Sequence, residues 1–413
     1  MNNYTTLKSK FLTISDKLRN SEYFSLEIDG YYHNCGFEDE TNIYIKYISA
    51  SSSTLCKACN NTITRNKGKR NATILLGVFN GKPVIGNFEK NIYFCGSCNK
   101  QSVDRITNVQ DHNTVSSNIT KYAVKLLAEN NSTYSQVARH IGISVSTIIR
   151  AFDQTNFKEI NLTDYSNIGI DEIRFTKASG NYQCTIYDAE TGIILDILAN
   201  RELKTVKSYL TSNFQHLEYL NQDLWITYKN AGIAANADVK IVADMFHVVR
   251  TCTWAFSRTR VSHFKKYGNK TKLRWRTLNY GLSKLDAHSK SIVKYKISKD
   301  QHIQKAHHAK EMFMAACRSK SKYDFDRIYE SFLKFIIKHN LDEFKPVIVM
   351  VKNWYNEITT AIETGMSNGI SERRNSDFKQ AKRNSRGFTN LPRASKLIKY
   401  RINSKIIPKY YAI

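Results

Sequence analysis

Two Cys-x-x-Cys pairs, Cys56-Lys57-Ala58-Cys59 and Cys95-Gly96-Ser97-Cys98, constrain the first quarter of the chain more than any other feature. A tight turn lets both sulfurs of a pair reach one tetrahedral Zn²⁺ at about 2.3 Å, and two such knuckles fill all four positions. The metal would then be structural. Residues 1–15 lack a charged segment followed by an apolar stretch and a cleavage site, and no apolar run approaches the roughly 18 residues that span a bilayer. The sequence therefore reads as cytosolic, where paired cysteines point to zinc rather than to disulfides. The 35 residues between the pairs exceed usual ribbon spacing, but they hold β-like runs at 72–79, 82–85 and 91–94, broken at Asn80-Gly81. Asn-Gly is a hairpin signal, so the expectation is a zinc-ribbon-like module with strands between its knuckles. His33 and Cys35 read as ordinary loop or core residues.

Charge constrains the partner. Lys and Arg number 62 against 36 Asp and Glu, a net charge of +26 over 413 residues with histidine neutral. These cations are spread along the chain instead of lying on one amphipathic face, which favours nucleic acid over membrane. A hydrophobic share of 41% and an aromatic share of 12% exclude a chain disordered for most of its length. At roughly 150 residues per domain the length suggests two to three domains.

Between Asn113 and Gln154 the pattern turns helical. Ala123, Leu126 and Leu127 mark one amphipathic helix, and the run from Tyr134 to Arg150 carries a helix-turn-helix signature. Ala138 is small where two helices would cross, Gly142 supplies the turn, Ile143 plugs the gap and Ser144 caps the second helix. Ser146, Thr147 and Arg150 would then face the major groove of DNA, as the exposed N-terminal half of a reading helix does.

From Asn167 the chain alternates strands and helices. Strands are expected at 168–175, 182–187 and 193–198, a helix at 202–214, a strand at 218–222, a helix at 227–235 and a strand at 239–243. This β-β-β-α-β-α-β order is that of the ribonuclease H-like fold. In such a sheet the first and fourth strands are parallel neighbours, so Asp171 on the first and Asp223 at the end of the fourth come within metal-bridging distance. Glu172 should project to the opposite face. A third carboxylate must come from a later helix; Glu372 is the candidate, with the cations Lys382, Arg383 and Arg386 further along as DNA contacts. Three hard oxygen donors suit Mg²⁺, or Mn²⁺, in a pair that activates a hydroxyl and stabilises the leaving oxygen of a phosphodiester displacement. Asp244 and His247 are rival site residues at the fifth strand.

The segments Gly169-Ile170-Asp171-Glu172, Val242 to Arg250, Ser367-Asn368-Gly369 with Glu372 and Asn375, and Arg386-Gly387-Phe388 together resemble bacterial insertion-sequence transposases of the DDE class, specifically the ISL-three family. The resemblance covers nearly the whole chain after about residue 50. It implies a zinc module and a helix-turn-helix ahead of a ribonuclease H-like domain split by a helical insertion, with Asp171, Asp223 and Glu372 as the catalytic triad. The chain departs from the family pattern at Leu224-Trp225 after the second Asp, and at Ser371 and Arg373-Arg374 around Glu372.

The insertion interleaves cations and aromatics, among them Trp254, Arg258, Trp275, Arg274 and Arg276. Such interleaving can hold phosphates while stacking on unpaired bases, and Arg274 and Arg276 are the favoured contacts. The expected organisation is multidomain α/β: an N-terminal region with the zinc module (1–110), the helix-turn-helix (111–158), the first part of the catalytic core (159–250), a basic helical insertion (251–352) and the C-terminal part of the core (353–413). The expected function is that of a DNA transposase which binds terminal inverted repeats and target DNA, acting in the bacterial cytoplasm as a homodimer or larger assembly. A non-catalytic DNA-binding regulator derived from one is the competing reading.

Overall fold

The computed structural model describes residues 18, 26–50, 55–56, 58–62, 65–110, 113–129, 132–174, 182–267, 275–298, 300–366, 369–385 and 390–411, with the side chains of 263–267, 275–276 and 371–372 outside the description. The chain divides into two compact units, one of residues 1–158 with 409–413 and one of residues 159–408.

The first unit opens with a mixed sheet of β1 (Tyr31–Glu38), β2 (Ile43–Ser49), β3 (Arg65–Phe79), β4 (Lys82–Phe94) and β5 (Gln101–Val103). Their order is β1-β2-β4-β3, with β5 against β4. The hairpin turn falls where Asn-Gly placed it: Asn80 and Gly81 have φ of 49° and 78°, the double left-handed backbone of a tight primed turn. The strands on either side are longer than the sequence runs, pairing from Phe79 opposite Lys82 down to Arg65 opposite Phe94. Ile45, Tyr47, Ile74, Leu76, Val84 and Phe88 form the core, with the rings of Tyr47 and Phe88 stacked at 4.5 Å.

Three helices follow, α1 (Ser117–Ala128), α2 (Tyr134–Ile141) and α3 (Val145–Gln154). Thr133 starts α2 with a reciprocal capping box to Gln136, which satisfies two otherwise orphaned amides. Gly142 ends it at φ 81° and donates its amide to the Ala138 carbonyl, and Ser144 caps α3 through the Thr147 amide. Ala138, Ile141 and Ile148 are buried between the helices, whereas Ile143 is only half-buried.

The second unit holds a five-stranded mixed sheet. Its elements run β6 (Asn167–Ile173), β7 (Gln183–Asp188), β8 (Ile194–Leu198), α4 (Leu203–Asn213), β9 (Tyr219–Gln222), α5 (Ile226–Ala235) and β10 (Lys240–Ala243), in the order the periodicity implied. In space the strands lie β10-β9-β6-β7-β8. A helical stretch follows: α6 (Met245–Tyr267), α7 (Trp275–Asn279), α8 (Ala287–Ile297), α9 (Gln301–Ala316), α10 (Lys322–Lys338), α11 (Lys345–Asn353) and α12 (Tyr355–Thr364). Then come α13 (Gly369–Asn384) and α14 (Leu391–Ile406).

Alternation along β6 sorts the layers. Ile168 and Ile170 pack with Val206, Leu210, Leu220 and Tyr228 under α4 and α5. Ile173 packs on the other face with Phe378, Ala381, Ala394 and Ile398 of α13 and α14. The sheet is thus covered on both sides, and odd-numbered β6 residues face α13. On α4 the buried stripe is Val206, Leu210 and the following Phe214, while Leu203 is 41% exposed at the helix start. The helical stretch has its own core, including Phe256, Phe313, Phe325, Phe332 and Phe344. Within it Lys310 is fully buried, its Nζ donating to the carbonyls of Leu278 and Tyr280 and pairing with Glu311.

Candidate active site and cysteine centre

Strand register builds the acidic site. β6 pairs with β9 in parallel, Gly169 opposite Asn221, and β10 pairs with the far side of β9, Val242 opposite Asn221. Asp171, Asp223 and Asp244 each lie two residues beyond that aligned row. They therefore stand abreast at the carboxyl ends of three neighbouring parallel strands spaced about 4.8 Å apart. Gly169 shares Asp171's face, and a Cβ there would overlap the Tyr187 ring, so only glycine lets that ring pack beneath the carboxylates.

The consequences of this crowding fall on Asp223. Burial, followed by the negative charges of Asp171, Asp244 and Glu172, pushes its carboxyl up from 3.8 to about 7, with Arg250 opposing. His247, in the first turn of α6, points its Nε2 at Asp223 Oδ2 at 3.4 Å and at Asp244 Oδ2 at 3.9 Å. Asp244 also caps α6, accepting the Phe246 amide at 2.8 Å. Among the described residues, Asp223, Asp244 and His247 place ligand atoms within 4.8 Å of one another. Asp244, weighed in the sequence as a rival to Asp223, is its immediate neighbour, because β9 lies between β6 and β10.

Asp171 is held at both oxygens: Oδ1 accepts the Glu172 amide and Oδ2 accepts Asn375 Nδ2, each at 2.6 Å. Asn375 brings α13 to the first strand. Glu372 lies three positions earlier on that helix, one turn away; its side chain is outside the described residues. Glu172 is turned to the other face of β6 and pairs with Arg201, whose guanidinium lies 4.5 Å from the Tyr182 ring and 4.7 Å from the Trp225 ring. Sequence reasoning had no part for Asn375 as a holder of Asp171, nor for Arg201. The signals for the first were its place with Glu372 among the segments that carry the family resemblance and its spacing of one turn from that residue.

A cavity of about 630 Å³ opens beside Asn375, lined by Arg174, Tyr182, Lys379, Lys382 and Arg383, with Glu172 its one carboxylate. Lys382 donates to the Arg174 carbonyl at 2.7 Å, and Arg383 is exposed. Arg274 and Arg386 fall outside the described residues, as does the side chain of Arg276 on α7. In the first unit Ser146 and Arg150 are exposed and Thr147 is half-buried. Thr147 and Arg150, with Asn113, Lys121 and Gln154, line a polar cavity of about 440 Å³ beside α3.

The β3–β4 hairpin brings the two cysteine pairs together, since the first precedes β3 and the second follows β4. Cys56 and Cys98 sulfurs are 3.7 Å apart, and those of Cys59 and Cys95 3.6 Å. A sulfur tetrahedron with bonds of about 2.3 Å has edges of roughly 3.8 Å, so the donor set fits zinc. The Cys98 amide holds the Cys95 thiol down at about 6 and the Ala58 amide lowers Cys56, whereas burial and the other three cysteines push Cys59 up to about 12. Four thiols this close cannot all ionise without a cation between them, and a metal requires the thiolate form.

Compared with known proteins, residues 168–396 match the model of a transposase family, the DDE type of the ISL-three group. That match takes in all three aligned aspartates and α13, and covers more than half of the chain. No curated protein matches. Among the described residues, no helix is long and apolar enough to cross a membrane.

Proposed function

Because the chain belongs to the ISL-three family of DDE transposases, we propose that it binds the terminal inverted repeats of an insertion sequence, nicks the element ends and joins the freed 3′ hydroxyls to target DNA. The observation that carries this reading is the line of aspartates at the ends of β6, β9 and β10, with α13 tied to Asp171 through Asn375. The strand and helix order supports a ribonuclease H-like catalytic core.

Asp171 and Asp223, with Glu372 from α13, would hold divalent cations. Their oxygen donors suit Mg²⁺, and Asp223, pushed up by burial and then by the charges of Asp171, Asp244 and Glu172, is a carboxylate whose ionised form a cation would stabilise. When bound, the ions supply an activated nucleophile and charge stabilisation for the leaving oxygen. Asn375 fixes the rotamer of Asp171. Arg201 neutralises Glu172 and keeps it on the other face of the strand. Lys379, Lys382 and Arg383 line the adjoining cavity with positive charge suited to DNA phosphates. Incubation of the protein with labelled element-end DNA and Mg²⁺ tests the reading. Nicked product supports the enzyme, whereas end-specific binding without nicking identifies a non-catalytic regulator.

The cysteine centre would be a structural zinc site and α2–α3 a helix-turn-helix reader. Cys59→Ser or Cys95→Ser should release zinc and unfold the N-terminal module, because binding and folding are one equilibrium in such sites. Terminal-repeat affinity should fall sharply while the second unit keeps its unfolding transition; metal analysis finding no zinc in wild-type protein would count against this. On α3, Ser146→Ala and Arg150→Ala should each cost about 1 to 3 kcal/mol on the cognate end and much less on random DNA. Equal weakening on both DNAs, measured by titration, would assign these residues to phosphates instead of bases.

A further inference from the structure

The first unit carries a cationic β-ribbon that neither the catalytic reading nor the α2–α3 reading uses. Residues 65–71, Arg-Asn-Lys-Gly-Lys-Arg-Asn, make up the first half of β3, and every one of them is exposed. Burial on β3 begins only at Ile74. β3 is an edge strand, so this stretch pairs with residues 89–94 of β4 on one side and faces solvent on the other. The ribbon is bent at Gly68, which has φ 124° at a register shift between Asn66 and Gly68. A Cβ at Gly68 would meet nothing within 4 Å. Glycine is thus required there by backbone conformation and not by packing, as in a β-bulge that re-aims a strand.

The cations are arranged, not scattered. The guanidinium of Arg65 lies 5.1 Å and Lys67 Nζ 4.7 Å from the centre of the Phe94 ring, immediately before Cys95. Stacking on one ring holds two positive heads side by side at the root of the ribbon. Lys69 is taken by Glu89, whereas Arg65, Lys67 and Arg70 meet no carboxylate among the described residues. A charged edge strand can serve only to block edge-to-edge pairing, but one or two lysines suffice for that, with neither a shared aromatic seat nor a glycine bulge.

We propose that residues 65–71 form a DNA-contacting arm that lies along the phosphates of a duplex, with Arg65, Lys67 and Arg70 as its contacts. Charge complementarity selects the partner, and the arm's exposure along its whole length at the open edge of the sheet suits a strand laid against phosphates. The inference rests on the DNA-binding reading for its choice of duplex DNA, but it is independent of sequence recognition by α3 and of catalysis.

The test uses full-length, zinc-loaded protein and a mixed-sequence duplex of about 40 base pairs, with affinity followed from roughly 50 to 200 mM salt. The triple variant Arg65→Ala/Lys67→Ala/Arg70→Ala should bind at least about tenfold more weakly at the low-salt end. Its slope of log K against log salt should be shallower by about 2 to 3, close to 0.9 for each phosphate that is no longer neutralised. Zinc content and thermal unfolding should match wild type. The charge-preserving triple Arg65→Lys/Lys67→Arg/Arg70→Lys should keep the wild-type slope. An unchanged slope in the alanine triple, or an equal loss in the charge-preserving one, would overturn the arm. Wild-type protein that bound neither this duplex nor an element end would instead refute the DNA-binding reading, and the arm with it.

Discussion

Asp223→Asn is expected to abolish both end cleavage and strand transfer, lowering either rate by about a thousandfold or more, while end binding survives. The magnitude follows from losing several kcal/mol of charge stabilisation at roughly 1.4 kcal/mol per tenfold. Asn keeps the shape of the side chain in the row between Asp171 and Asp244 but removes a negative oxygen from the proposed metal site. Asp171→Asn and Glu372→Gln should behave alike. Glu172→Gln, which leaves the aligned row intact, should retain part of the activity, as should Asp244→Asn, whose oxygen serves partly to cap α6. Gel assays on labelled end DNA, with binding measured in parallel, read both effects. If Asp244→Asn silences cleavage and Asp223→Asn spares it, the second carboxylate has been misassigned.

The same residue should leave a mark on stability that no activity assay is needed to see. Burial, then the neighbouring carboxylates, push the Asp223 carboxyl up to about 7 in the folded protein, from 3.8 in the unfolded chain. Between those values the folded state holds a proton that the unfolded chain has released. Protein free of Mg²⁺ should therefore lose stability as pH rises from about 4 to 7 and level off above, by on the order of 3 to 4 kcal/mol. Asp223→Asn mimics the neutral form and escapes this loss. In Mg²⁺-free buffer that leaves the zinc in place it should unfold roughly 5 to 10 °C above wild type at pH 8 and at the same temperature near pH 4. Adding Mg²⁺ at pH 8 should close the gap by stabilising wild type alone. Parallel unfolding curves for the two proteins across the pH range would show that the carboxylates do not strain the fold.

The aspartates of β6 and β9 were legible because three local signals agreed: period-two strands, a helix between them, and Asp at the strand ends. Gly142, Ser144 and Asn80-Gly81 were legible for a related reason, since each supplies a backbone conformation or a cap that few other residues can. The hairpin's lower half was not. Residues 65–71 are polar on both faces, so they carry no alternation to read, and their strand exists because β4 pairs with them. Asn375 and Asp171 are separated by 204 positions, and nothing local to either says that one amide will seat the other. The alignment of Asp244 with Asp223 likewise depends on register between strands, which spacing along the chain does not encode. Helix α6 runs unbroken through residue 250, because the buried stripe of Val248, Cys252, Ala255 and Phe256 continues across that point.

In the proposed reaction, DNA strands are exchanged at the carboxylate row at the ends of β6 and β9, completed from α13. The most direct test bypasses nicking: full-length protein, Mg²⁺, a supercoiled target plasmid and a precut element end with a labelled 3′ hydroxyl. Label should be joined covalently to the plasmid, with no joining when the end carries a 3′-deoxy terminus and none with Asp171→Asn or Asp223→Asn although both bind the end. Wild-type protein that binds the precut end without joining it, or a variant at either aspartate that joins it as well as wild type, would show that strand exchange does not take place at this row.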